Sequence, residues 1–215
     1  MIQNFINLFF LFLGIYICFY LKSLSDNFRE NIFTKIHYKN SSNNIKLFDL
    51  GFKFIPYYKN SIIDDILVLC PLLLFILYTP NIKDYIIILF SIYLLRQICT
   101  LLTILPPIPQ CRNSIQNRFK NNIIKNLERF SFNSCSETVF SGHTSLLLVT
   151  ILFLLPRLPN YAKIIAYIYA IFTSLIIIAI RHHYSIDVFL SWIICILFYI
   201  SYFGKDVIKY LLPFN

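Results

Sequence analysis

The chain has 215 residues, 58% of them hydrophobic and only 13% charged, and a formal net charge of +9. A soluble domain carries about 25% charged residues, so composition argues against one, and 4 glycines beside 18% aromatics argue against a fibrous or disordered chain. The basic residues lie in loops between apolar runs with no basic-aromatic module, so nucleic acid is set aside and a membrane surface or phosphate-bearing lipid is the expected partner.

A membrane helix needs about 20 mostly apolar residues. Six such runs are predicted, at roughly 3–21, 62–80, 84–105, 139–156, 162–180 and 187–204. The first has no basic leader and no small-residue cleavage site, so it is read as a span rather than a signal peptide. The second opens on Asp64 and Asp65, read as interfacial charges, and contains Pro71. The third encloses Arg96, whose charge at depth is costly unless it meets a phosphate or a carboxylate. The expected fold is all-α: a single domain, residues 1–215, forming a bundle of six transmembrane helices.

Six passes put both termini on one face and the loops 22–61, 106–138 and 181–186 on the other. That second face carries 13 Lys and Arg residues against five on the first, which by the positive-inside rule would make it cytosolic. Of six cysteines, Cys18, Cys70, Cys99 and Cys195 lie in apolar runs and act as small hydrophobes. Cys111 and Cys135 share the loop region 106–138 and are expected to pair only if it faces an oxidising lumen.

Two stretches about forty residues apart carry ionisable groups where an apolar run meets a loop: Phe140-Ser141-Gly142-His143-Thr144 and His182-His183-Tyr184-Ser185-Ile186-Asp187. Both fall on the same face. His183 and Asp187 are four apart, on one side of a helix. A carboxylate there can hold one imidazole nitrogen and leave the other as a nucleophile of fixed tautomer. His143 follows Ser141 and Gly142 at a helix start, where backbone N–H groups and the dipole favour a phosphate. It can exchange protons with a leaving or entering hydroxyl. Taken singly, each feature is also an ordinary interfacial histidine or a surface ion pair. A metal site from His182, His183 and Asp187 is weakly signalled, because adjacent histidines point apart.

Jointly, the pattern resembles the lipid phosphatase/phosphotransferase superfamily. Within it the chain resembles the sphingomyelin synthases and related phosphatidylcholine–diacylglycerol cholinephosphotransferases. Leu47-Phe48-Asp49-Leu50-Gly51-Phe52 resembles the family's Pro-Asp motif, with Phe48 in place of proline. Arg96 through Thr100 and Thr103 to Leu105-Pro106-Pro107-Ile108-Pro109 resembles the motif ending the third span. Cys135-Ser136-Glu137 followed by Phe140-Ser141-Gly142-His143 resembles Cys-Gly-Asp…Ser-Gly-His, with Ser136 for glycine and Glu137 for aspartate. His183-Tyr184-Ser185-Ile186-Asp187-Val188 resembles His-Tyr-Thr-Val-Asp-Val. The likeness spans about 47–203.

The resemblance implies transfer of phosphocholine from phosphatidylcholine to ceramide, giving sphingomyelin and diacylglycerol. His183 is then the nucleophile that forms a phospho-histidine, Asp187 orients it, and His143 is the acid and base. Ser141, Gly142, Glu137, Arg96 and Tyr184 are the expected substrate-binding residues. Of these, Glu137 or Tyr184 would face the cationic head group, against the plainer readings of a solvated carboxylate and an interfacial tyrosine. No metal and no cofactor is expected, and the sequence leaves oligomeric state open. The ordinary lipid phosphatase branch wants an arginine six before the second histidine, where this chain has Ile177. Lipid phosphatase or phospholipase C-type hydrolysis, phosphocholine exchange between phosphatidylcholine and diacylglycerol, and a non-catalytic transporter or scaffold are the alternatives. The family places its site on the luminal or exoplasmic face of Golgi, endoplasmic reticulum or plasma membrane. That placement is preferred over the charge count, since basic loops also suit a phosphate site.

Overall fold

The computed structural model describes residues 13, 48–59, 62–78, 82–102 and 139–212. The expected first span (3–21, apart from Leu13), Glu137, Cys111, Cys135 and the Leu105–Pro109 motif lie outside the described residues. Those described are all-α: short α1 (Leu50–Phe54), α2 (Ile62–Tyr78), α3 (Ile82–Leu102), α4 (Gly142–Leu154), α5 (Asn160–Ala179), α6 (Ser185–Phe203) and short α7 (Ile208–Leu211). Single 3-10 turns follow α4 and α6.

Helix α4 is the axis of the bundle. Every residue from Gly142 to Leu154 is buried, and α2, α3, α5 and α6 all pack on it. Such burial needs a helix without a polar face, which the run Leu146-Leu147-Leu148-Val149 supplies. Beyond its first turn the one polar side chain, Thr150, donates to the Leu146 carbonyl (2.7 Å) and meets the Tyr85 hydroxyl of α3 at 3.0 Å. Phe153 of α4 meets Phe75, Tyr85 and Tyr199 edge-on, and Phe75 and Tyr85 stack on each other.

Pro71 does not end α2. Proline removes the hydrogen bond to the carbonyl four residues earlier, here Leu67, and the Tyr169 hydroxyl of α5 donates to that oxygen at 2.6 Å. At the far end, the α6 C-cap Gly204 takes φ +82°, a region that favours glycine. The chain then turns back so that Tyr167 and Lys163 of α5 donate to the carbonyls of Leu211 and Leu212.

The outward faces are apolar. Leu73, Ile165, Ile168, Phe172, Phe189 and Leu197 are all exposed, large apolar side chains in a number that a protein in water seldom leaves open. Among the described residues, two helices are long and apolar enough to cross a membrane, α5 and α6, and Gly142–Arg157 is a shorter apolar one. Helices also occupy the second and third expected spans. Among the described residues, two of the six expected spans thus meet the length and composition of a crossing helix.

Candidate active site

The N-termini of α4 and α6 lie side by side, and hydrogen bonds fix them. The Ser141 N–H reaches both Ser191 Oγ (2.8 Å) and the Asp187 carbonyl (3.2 Å). Ser191 Oγ in turn lies 2.8 Å from the Asp187 carbonyl and 3.1 Å from that of Ser141. Two helix starts forty-odd residues apart are thus tied through one serine. Ser141 Oγ accepts from the Thr144 N–H at 3.2 Å, an N-cap. The buried Ser141 side chain is therefore committed to starting its own helix.

Arg96 reaches this junction from α3. It is 4% exposed, and its Nε donates to the Phe140 carbonyl at 2.9 Å. A Cβ on Gly142 would sit 3.5 Å from both the guanidinium carbon and the Tyr93 hydroxyl. The cation is thus held against the start of α4, where an anion is favoured. The Tyr93 hydroxyl donates to the Gly142 carbonyl at 3.0 Å.

Three imidazoles converge here. The rings of His143 and His183 are 6.4 Å apart, and those of His143 and His182 are 6.2 Å apart. His183 Nδ1 lies 3.6 Å from Asp187 Oδ2. That is a close approach but longer than a hydrogen bond. His183 Nδ1 and Asp187 Oδ1 are both buried with no hydrogen-bond partner among the described residues. Asp187 Oδ2 accepts from the Tyr184 N–H at 3.0 Å, so it also caps α6. Burial pushes the His183 imidazole below its ordinary value, with Asp187 opposing and Arg96 and His143 adding to the shift. The ring is therefore neutral at pH 7. Nδ1 is turned to Asp187, and a proton held there leaves the lone pair on Nε2.

The two carboxylates that open α2 are also part of this cluster. Asp65 Oδ1 holds His143 Nε2 at 3.0 Å, and Asp64 Oδ2 holds His182 Nδ1 at 2.7 Å. The reading as an interfacial charge is corrected for Asp64, which is fully buried, whereas Asp65 is 29% exposed and pairs with His143. The signal was present in the sequence, since two adjacent carboxylates at the mouth of an apolar run are costly without partners. The partners, 78 and 118 residues away, were not legible.

Tyr184 is buried, and its ring stacks on Phe52 at 5.5 Å. The Arg181 guanidinium covers Phe52 at 4.1 Å and donates to the carbonyls of Phe52 and Ile55. Asp49 caps α1 through the Phe52 N–H (2.9 Å) and accepts from Ser185 N and Oγ, each at 2.7 Å. The Asp49-Leu50-Gly51-Phe52 segment is therefore a clasp on the start of α6. It buttresses the turn that carries His182 and His183.

Residues 134–203 match the family model for the PAP2 superfamily C-terminal domain. The PAP2 match covers Ser141, Gly142, His143, His182, His183, Tyr184 and Asp187, and it leaves out Asp49, Asp64, Asp65 and Arg96. It supports the lipid phosphatase/phosphotransferase superfamily, hence an enzyme acting on phosphate esters of lipids. The two apolar helices and the PAP2 match point together to membrane association. No curated protein and no solved structure matches the chain.

Proposed function

We propose that the chain is a membrane-embedded head-group transferase that moves phosphocholine from phosphatidylcholine to ceramide through a phospho-histidine. The observation that carries this reading is the meeting of His183, Asp187 and His143 at one pair of helix starts, with the two rings 6.4 Å apart. Neutral His183 attacks the phosphorus through Nε2. The bond to the diacylglycerol oxygen breaks, and His143 supplies that oxygen with a proton. The imidazolium formed on His183 faces Asp187, which closes from 3.6 Å onto Nδ1. His143 then takes the proton of the ceramide 1-hydroxyl as that oxygen displaces His183, leaving sphingomyelin. Asp65 holds His143 Nε2, as a triad carboxylate holds its histidine. The α4 N-terminus and the Arg96 guanidinium suit the negative charge that builds on the phosphoryl oxygens.

Six membrane passes, with the site on the luminal or exoplasmic side of Golgi, endoplasmic reticulum or plasma membrane, complete the proposal. The apolar outward faces support the membrane setting. Protease protection of loop 22–61 in sealed vesicles tests the orientation. The PAP2 match accommodates a lipid phosphatase equally well, so the acceptor is the decisive point. Purified protein in liposomes holding head-group-labelled phosphatidylcholine, with and without ceramide, separates the two. Label in sphingomyelin that depends on ceramide supports transfer. Water-soluble label released regardless of ceramide overturns it in favour of hydrolysis, and label moving to added diacylglycerol alone assigns the acceptor there instead.

A further inference from the structure

The mechanism above uses Asp65 only as a partner of His143 and does not use Asp64 or His182. Yet one carboxylate oxygen from Asp64, one from Asp65 and a ring nitrogen of His143 all lie within 4.8 Å of one another. Asp64 is fully buried, and its Oδ1 has no hydrogen-bond partner among the described residues. A buried carboxylate oxygen left unmatched is expensive. The other oxygen is held by His182 Nδ1 at 2.7 Å, which fixes the carboxylate from behind.

We propose that Asp64, Asp65 and His143 form a binding site for one Zn²⁺-class transition-metal ion, and that occupancy shuts the enzyme off. Two carboxylates and an imidazole with a fourth position open is a donor set that zinc takes. The imidazole favours zinc over the oxygen-seeking magnesium and calcium. The ion's charge neutralises the two carboxylates, and His182 serves as the outer partner that orients a ligand. Nε2 of His143 and Oδ1 of Asp65, 3.0 Å apart, already sit at about the spacing of two ligands on zinc. Binding replaces the proton between them with the metal. The remaining ring N–H of a metal-bound neutral imidazole has no lone pair, so His143 loses its capacity as a base.

The inhibitory consequence rests on the proposed role of His143, whereas the binding itself does not. The test is therefore two measurements on the full chain in detergent micelles. Titration calorimetry with ZnCl₂ should show one ion per chain. Asp65→Asn, isosteric and at a 29% exposed position, should abolish it. His182→Gln should weaken it by about 10- to 100-fold, and His183→Ala should bind as the unsubstituted chain does. Zinc bound equally well by Asp65→Asn, or not bound by the unsubstituted chain, overturns the site. In the second measurement, ZnCl₂ should inhibit lipid turnover over the same concentration range, with reversal by chelator and no effect of MgCl₂. Binding without inhibition overturns the inhibitory role. Binding in a protein that turns over no lipid leaves the site standing and removes the transferase reading instead.

Discussion

At the scale of single residues, the three imidazoles of the cluster have different partners. His183 faces Asp187, His143 meets Asp65, and His182 meets Asp64. Replacing His183 or His143 by alanine should reduce head-group transfer by at least about a thousandfold, in the range of removing a nucleophile or a positioned acid–base, while expression and detergent-extracted monodispersity stay unchanged. Turnover within tenfold of normal in His183→Ala would rule out the phospho-histidine. The pH dependence follows from His183. Burial, its largest cause, lowers the imidazole below 6.5 in the folded protein. Between that lowered value and 6.5 the unfolded chain binds the extra proton, so stability is fully present above about pH 6.5 and declines as pH falls through the window. Activity should hold on the acid side to below pH 6.5 and then fall as Nε2 becomes protonated. Rate–pH profiles at saturating lipid check this, and an acid limb above 6.5 would contradict it. His143, His183 and Asp187 were legible because they sit in short motifs at fixed spacing. Asp65 and Asp64 were not, because a carboxylate's partner is set by packing rather than by neighbours in sequence.

At the scale of elements, two contacts decide whether the helices seat the site. The first is Tyr169, whose hydroxyl satisfies the carbonyl that Pro71 releases. Tyr169→Phe leaves that oxygen unmatched and should cost about 1–3 kcal/mol, read as a lower unfolding midpoint in mild detergent. The same substitution in a Pro71→Ala background should cost much less, since the helix would then supply its own donor. The second is the clasp between α1 and α6. A Cβ at Gly51 would collide with Ser185 Oγ, which Asp49 holds in place. Gly51→Ala should therefore unseat α1 and expose the turn carrying His182 and His183. Its expected readout is faster proteolysis after residue 52 together with lost turnover. The Asp49 motif was recognisable in sequence, but its job was not. Only the fold shows it capping α1 and gripping Ser185 at the same time. Tyr184 is a comparable case: its ring stacks on Phe52 and is buried. Tyr184→Leu, which removes the ring face, should then lower the unfolding midpoint by losing the stack on Phe52 while leaving the KM for phosphatidylcholine unchanged; a raised KM would restore the cation–π role.

At the scale of the whole molecule, a fully buried apolar α4 and apolar outward faces give, among the described residues, a bundle that is apolar both inside and outside. Such a surface should bring the chain into the detergent or lipid phase in partition experiments, and recovery in the aqueous phase would refute the membrane setting. The sequence by itself determined the all-helical class, the helices from residue 62 onward to within a few residues, and the histidine–aspartate pair. Each of these is a local matter: apolar run length, helical period and motif spacing are properties of neighbours in the chain. The membership of Asp64, Asp65 and His182 in the site, the rescue of the Pro71 break and the α1 clasp were decided only by tertiary structure. Each joins groups at least 78 residues apart. No periodicity encodes which of several distant polar groups will meet. That is fixed when the helices pack, because a buried carboxylate, imidazole or carbonyl must find a partner there.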